Sequence, residues 1–283
     1  MTEPFGTRLR ALVDARGPLC VGIDPHPALL RGWGLGDDPA GLERFALTVL
    51  EALGDRVAVL KPQSAFFERF GSRGIAVLER VLAAVREAGA ISLLDVKRGD
   101  IGTTMAGYAA AYLERGSPLA ADAITATPFL GFGALRPLLD TAAANGTGVF
   151  VLTLTSNPEG AAVQLAAGPD GRTVAQALLD DVAGANAAEL AATGGPLGSV
   201  GVVVGATLTG HGHRLEHLRG PLLAPGVGAQ GAGLADLPAV FGAALPDVLP
   251  SVSREVLAAG PSVAGLRAAA QRFTADTAAG VSP

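Results

Sequence analysis

The sequence predicts an α/β fold, a single-domain (β/α)8 barrel over residues 1–283. Three observations carry that expectation. Short apolar or β-branched runs recur along the chain, segments with helical apolar spacing separate them, and the runs lack polar–apolar alternation. Strands without alternation are buried on both faces, and in a chain that alternates them with helices they form a parallel sheet covered by helices. About eight such units in this length fit a closed TIM barrel better than an open, doubly wound sheet.

The elements follow in order. A helix is expected at about 5–16, and the strand-like runs fall at 19–23, 57–60, 91–96, 122–126, 149–154, 200–206, 222–224 and 247–252. Leu42, Phe45, Ala46, Val49, Leu50 and Leu53 keep helical spacing after the first run. Val77, Val81, Leu82 and Val85 do so after the second, and Val174, Ala177, Leu178 and Val182 after the fifth. The Gly-, Pro- and Asn-containing segment 155–172 reads as a mobile loop after the fifth strand rather than a linker. The tail after about 274 is expected to fray.

Composition excludes several classes. With 49% hydrophobic and 17% charged residues the chain can bury a large core, unlike a disordered tail protein. A formal charge of −5 gives no electrostatic reason to expect nucleic acid or an anionic membrane. Cys20 is the one cysteine, so no intrachain disulfide forms, and its apolar flanks suggest a buried thiol. The start Met1-Thr2-Glu3-Pro4 is unlike a signal peptide, and no apolar run is long enough to span a bilayer. A soluble cytoplasmic protein is expected.

The basic residues are unevenly chosen. Of 21, 19 are Arg, and the two lysines, Lys61 and Lys97, each end a short apolar run. Coding bias accounts for scarcity but not for that placement. An ammonium can surrender a proton where a guanidinium effectively cannot, which points to chemistry at both positions. Asp95 and Lys97, two apart at the end of one run, should project from one strand face into the barrel. Asp100 follows in the turn, either as a helix cap or as a second acid holding the lysine protonated. Asp24 ends the first run, either as a turn residue before proline or as an acceptor for a sugar hydroxyl. Polar residues at strand C-termini face the mouth of such barrels, where active sites lie. The Gly-rich stretch 225–233 after the seventh run and Arg254 after the eighth suit a phosphate. His211, His213 and His217 have no acidic cluster nearby and are not read as a metal site, and Trp33, Phe66 and Phe67 read as packing groups.

Several of these motifs together resemble a known family. Val21-Gly22-Ile23-Asp24-Pro25, Leu60-Lys61-Pro62-Gln63 and Leu94-Asp95-Val96-Lys97-Arg98-Gly99-Asp100-Ile101-Gly102-Thr103-Thr104 occur in order. Pro225-Gly226-Val227-Gly228-Ala229-Gln230-Gly231 and Ser251-Val252-Ser253-Arg254 follow. The set resembles the orotidine 5'-phosphate decarboxylases, in their longer bacterial (type 2) subfamily. The resemblance implies a homodimeric barrel that makes UMP and CO2, the last step of de novo pyrimidine nucleotide synthesis, without metal or organic cofactor. It further implies Lys97 as proton donor to C6 of the pyrimidine, Asp95 beside the substrate carboxylate, and Lys61 in the same charged array. Asp100 and Thr104 would reach into the partner subunit's site. Asp24 would bind the ribose, Ser156 the pyrimidine edge, and Gln230 and Arg254 the 5'-phosphate.

Three other readings compete. A Mg-dependent sugar-phosphate decarboxylase or aldolase of the same barrel superfamily would place a carboxylate at the end of the second strand, where this chain has Lys61. A Schiff-base aldolase would need a neutral lysine, which flanking acids disfavour. A barrel that binds nucleotide without turnover is the third.

Overall fold

The computed structural model describes residues 2–228 and 231–281, with side chains through 274. Its eight strands are all parallel and close in sequence order, β1 pairing with both β2 and β8. The barrel starts with α1 (Phe5–Arg16), β1 (Cys20–Ile23), α2 (Pro27–Gly32) and α3 (Pro39–Leu53). β2 (Val59–Pro62), α4 (Ser64–Glu68), α5 (Gly71–Glu87), β3 (Ile91–Arg98) and α6 (Gly102–Leu113) follow. Next come β4 (Ala123–Ala126), α7 (Arg136–Asn145), β5 (Gly148–Leu154), α8 (Ala161–Gln164) and α9 (Val174–Thr193). The chain ends with β6 (Val200–Val204), β7 (Leu222–Pro225), α10 (Leu237–Phe241), β8 (Val248–Val252), α11 (Arg254–Leu257) and α12 (Val263–Val281).

Burial explains the unalternating runs. Strands β1, β2, β4 and β8 are buried at every position, because one face meets the helices and the other the barrel interior. The interior core is separate from the outer one. Cys20, Val59, Leu93, Phe150 and Leu249 fill it, and Phe5 and Leu9 of α1 plug its lower end. Phe5 meets Phe150 edge to face, with ring centroids 6.1 Å apart.

The structure departs from the expected alternation in one place. No helix connects β6 to β7. An irregular segment, 205–221, makes the crossover, turning through Gly210 and Gly212 at φ 68° and 70° and anchored by buried Leu215 and Leu218. Segment 155–172, expected as a loop after the fifth strand, carries a 3-10 turn at Pro158–Gly160 and the short α8. The expectation of fraying after about 274 falls largely on side chains outside the described residues; the backbone of α12 is helical to Val281. Among the described residues no helix is long and apolar enough to cross a membrane.

One buried amide fastens α9 to the barrel. Asn186 is fully buried, donates to Val200 O (2.8 Å) and Leu218 O (2.9 Å), and accepts from Val200 N (3.0 Å). Glycines make room for it: a Cβ at Gly198 would lie 2.3 Å from its Oδ1, and one at Gly220 2.3 Å from its Nδ2. Asn186→Ala strands these backbone groups and is expected to cost roughly 2–4 kcal/mol. Thermal or denaturant unfolding measures this, and a loss below about 1 kcal/mol contradicts the anchoring role.

Candidate active site

A cavity of about 440 Å³ opens at the C-terminal ends of the strands, a size suited to a nucleotide-sized ligand. Adjacent strands place the charges on its wall. The β1–β2 register pairs Ile23 with Pro62, so Asp24 and Lys61 come together, and a bridge between Gln63 and Asp95 brings in β3. Asp95 is the hub. Its Oδ1 accepts from Lys97 Nζ (2.6 Å) and Thr125 Oγ1 (2.8 Å), and its Oδ2 from Gln63 Nε2 (2.9 Å) and Lys61 Nζ (3.5 Å).

Electrostatics fix the protonation of this array. Burial pushes the Asp95 carboxyl up, but the ammonium groups of Lys61 and Lys97, with the Lys97 and Thr125 hydrogen bonds, outweigh it and bring the pKa down to about 2. Burial would likewise discharge Lys61, yet Asp24 and then Asp95 more than compensate and hold its ammonium above the ordinary lysine range. Two acids around one ammonium were expected at Lys97, with Asp100 as the second. Within one chain that arrangement surrounds Lys61 instead. Cys20, buried near Lys61, has its thiol pushed up to about 12 by burial and stays neutral.

Lys97 reaches Asp95 by a route that strand alternation does not describe. It has φ 47°, left-handed backbone that is uncommon outside glycine, and β3 bulges against β4 between Leu94 and Arg98. The bulge turns Lys97 back toward Asp95. Its side chain is 47% exposed, whereas that of Asp95 is 9% exposed.

The other expected residues divide. Asp24 and Arg254 line the cavity. Asp24 Oδ1 is buried with no hydrogen-bond partner, and Arg254 makes no ion pair among the described residues, so both are available to a ligand. Asp100 and Thr104 do not line the cavity: Asp100 Oδ1 accepts from Ile101 N (2.8 Å), and Thr104 is exposed on the first turn of α6. Asp100 is not that helix's cap either, since Ile101 occupies the position. Ser156 lies against Gly205, while its neighbour Thr155 lines the cavity. Gln230 lies outside the described residues, although Gly226 and Val227 of the same loop line the cavity beside Arg254.

Sequence reasoning gave no role to Gln63 or Thr125, which line the cavity together with Ser253 of the Ser251–Arg254 motif. Ser253 Oγ is buried without a partner. The available signal was a polar residue at or just beyond the end of an otherwise apolar run. His211 and His213 are engaged locally, His211 Nδ1 accepting from His213 N (3.0 Å) and His213 Nε2 bonding Thr173 Oγ1 (2.8 Å). Among the described residues no group of three His, Cys, Asp or Glu side chains could hold a metal ion.

Fold and site together define a barrel enzyme that meets an anionic substrate with a preset array of charges at the mouth of its sheet. The profile of the orotidine 5'-phosphate decarboxylase / HUMPS family matches residues 17–269. A Salinispora arenicola protein named orotidine 5'-phosphate decarboxylase is 66% identical over 274 residues, 97% of each chain. One of the same name from Streptomyces coelicolor is 60% identical over 97% of each chain. The crystal structure of a Streptomyces avermitilis protein superposes with a TM-score of 0.95 at 59% identity, covering 99% of this chain and 96% of that one. The chain belongs to the orotidine 5'-phosphate decarboxylase / HUMPS family.

The array makes a stability prediction. Asp95→Asn removes the acid that the buried Lys61 ammonium shares with half-exposed Lys97 and is expected to cost about 3–5 kcal/mol at neutral pH. The folded pKa of Asp95, about 2, lies below its ordinary 3.8. Its stabilisation is therefore complete above 3.8 and lost as the pH falls through about 2, so the gap between wild type and variant narrows over that window. Denaturant unfolding across pH measures it; equal stability at neutral pH contradicts the account.

Proposed function

We propose that this protein decarboxylates orotidine 5'-phosphate to UMP and CO2, completing de novo pyrimidine nucleotide synthesis. The carrying observation is the Asp95 carboxylate clamped between Lys61 and Lys97 at the barrel mouth. Family membership supplies the substrate, and the charge array supplies the means.

Loss of CO2 from C6 leaves an electron pair in the plane of the pyrimidine ring, where no π-system can delocalise it. A fixed ammonium is the remedy. Lys97 donates its proton to C6 as the bond to the carboxyl carbon breaks, and Asp95 holds that ammonium in place. Lys61 keeps Asp95 ionised and offsets its charge. General-acid catalysis supplies only about 10²–10⁴ in rate, so binding energy from the rest of the substrate must contribute. Arg254 and the backbone N–H groups of Gly226 and Val227 hold the phosphate, with Gln230 in the same role, and the unpartnered Asp24 Oδ1 accepts from a ribose hydroxyl. Ser156, or Thr155 beside it, reads the pyrimidine edge. The reaction calls for neither metal nor cofactor. Substrate and product are phosphate monoesters retained inside the cell, which assigns the enzyme to the cytoplasm.

The working unit is a homodimer. Ile101, Phe129 and Leu130 are exposed on adjoining loops after β3 and β4, next to half-exposed Lys97. Thr127 N donates to Arg98 O (2.9 Å) and ties those loops together. A second copy would cover this apolar surface and bring its Asp100 and Thr104 to the open side of the site.

Lys97→Ala is expected to abolish the loss of orotidine 5'-phosphate absorbance while leaving UMP binding within a few-fold of wild type. Near-normal turnover removes Lys97 from the mechanism, and activity that EDTA abolishes and Mg²⁺ restores favours the metal-dependent alternative. Shared sites predict complementation. Inactive Lys97→Ala and Asp100→Ala chains, mixed and reassorted, should recover about a quarter of wild-type activity, because half of the dimers are mixed and each has one intact site. No recovery after verified subunit exchange contradicts the shared site.

A further inference from the structure

One buried hydroxyl at the site has no part in the mechanism above, yet it touches both the acid and the backbone of the proton donor. Residues 95–97 of β3 face Thr125 alone on β4, because Leu94 pairs with Ile124 and Arg98 with Ala126. The surplus residues put Lys97 in left-handed backbone, and its N–H leaves the strand ladder. That N–H is donated to Thr125 Oγ1 (2.9 Å), and Thr125 donates in turn to Asp95 Oδ1 (2.8 Å), the same oxygen that receives Lys97 Nζ (2.6 Å). Directions in this closed ring are forced: a backbone N–H only donates, an ionised carboxylate only accepts, and a hydroxyl does one of each.

We propose that Thr125 is a positioning residue, which presets Lys97 for proton delivery by bonding its backbone and the carboxylate that holds its ammonium. The proposal rests on the reading of Lys97 as proton donor. The ring matters because little else holds this side chain: among the described residues its ammonium contacts only Asp95, and it is half exposed. Asp95 itself has independent support, its Oδ2 being held by Gln63 and Lys61. Loss of the Thr125 hydroxyl therefore loosens the donor more than the acid.

Thr125→Val keeps the branched shape and removes the hydroxyl; Thr125→Ser keeps the hydroxyl. Thr125→Val is expected to lower kcat about 10- to 100-fold, with KM for orotidine 5'-phosphate and calorimetric UMP affinity within about threefold of wild type. Thr125→Ser should stay within about threefold of wild-type kcat. Should the valine variant not fold, Thr125→Cys, a far weaker donor, replaces it with the same expectation. The proposal is overturned by a kcat loss below about fivefold in Thr125→Val, by a loss confined to KM and UMP binding, or by Thr125→Ser falling as far as Thr125→Val. Lys97→Ala runs alongside. If it is inactive while Thr125→Val is unimpaired, only the positioning role fails; if it turns over normally, the reading of Lys97 itself fails.

Discussion

The mouth of this barrel depends on keeping one buried carboxylate ionised between a buried ammonium and a half-exposed one. Burial alone would neutralise Asp95 and Lys61; Lys61 and Lys97 keep Asp95 ionised, and Asp24 and then Asp95 keep Lys61 charged. Such an arrangement contributes little net stability compared with apolar packing of the same volume. It supplies instead a field whose direction is fixed before substrate arrives, with no reorganisation left for the moment of reaction.

The barrel makes that field rigid. Lys61 and Asp95 stand on neighbouring strands, and Lys97 closes the array from the end of β3. Beneath them the interior is filled by Cys20, Val59, Leu93 and Phe150 and sealed by α1, so the strand ends have little freedom. The permanently charged Arg254 and the glycine turn after β7 line the same cavity as this array.

Much of this was legible in the chain. Two-sided burial left the strands as continuous apolar runs, and the choice of lysine over arginine at positions 61 and 97 pointed to the groups that meet Asp95 at the cavity. What escaped depends on backbone detail that spacing does not encode. Alternation put Asp95 and Lys97 on one face, but the contact forms through a bulge and a positive φ at Lys97. Thr125 looked like one polar residue in a buried strand, and only the bulge opposite reveals why a hydroxyl is there. The helix missing after β6 went unseen because Leu215 and Leu218 anchor an irregular segment as well as a helix would. Asp100 and Thr104 lie outside the cavity of their own chain, which their spacing after β3 does not reveal.

The scarcity of lysine makes the central claim open to direct measurement. Protein labelled with ¹⁵N at the lysine side chains gives two Nζ signals, from Lys61 and Lys97. Followed through an alkaline titration, the Lys61 signal should stay that of an ammonium beyond the ordinary lysine value of 10.5. A Lys61 that loses its proton below that value would contradict an array held charged by its own acids.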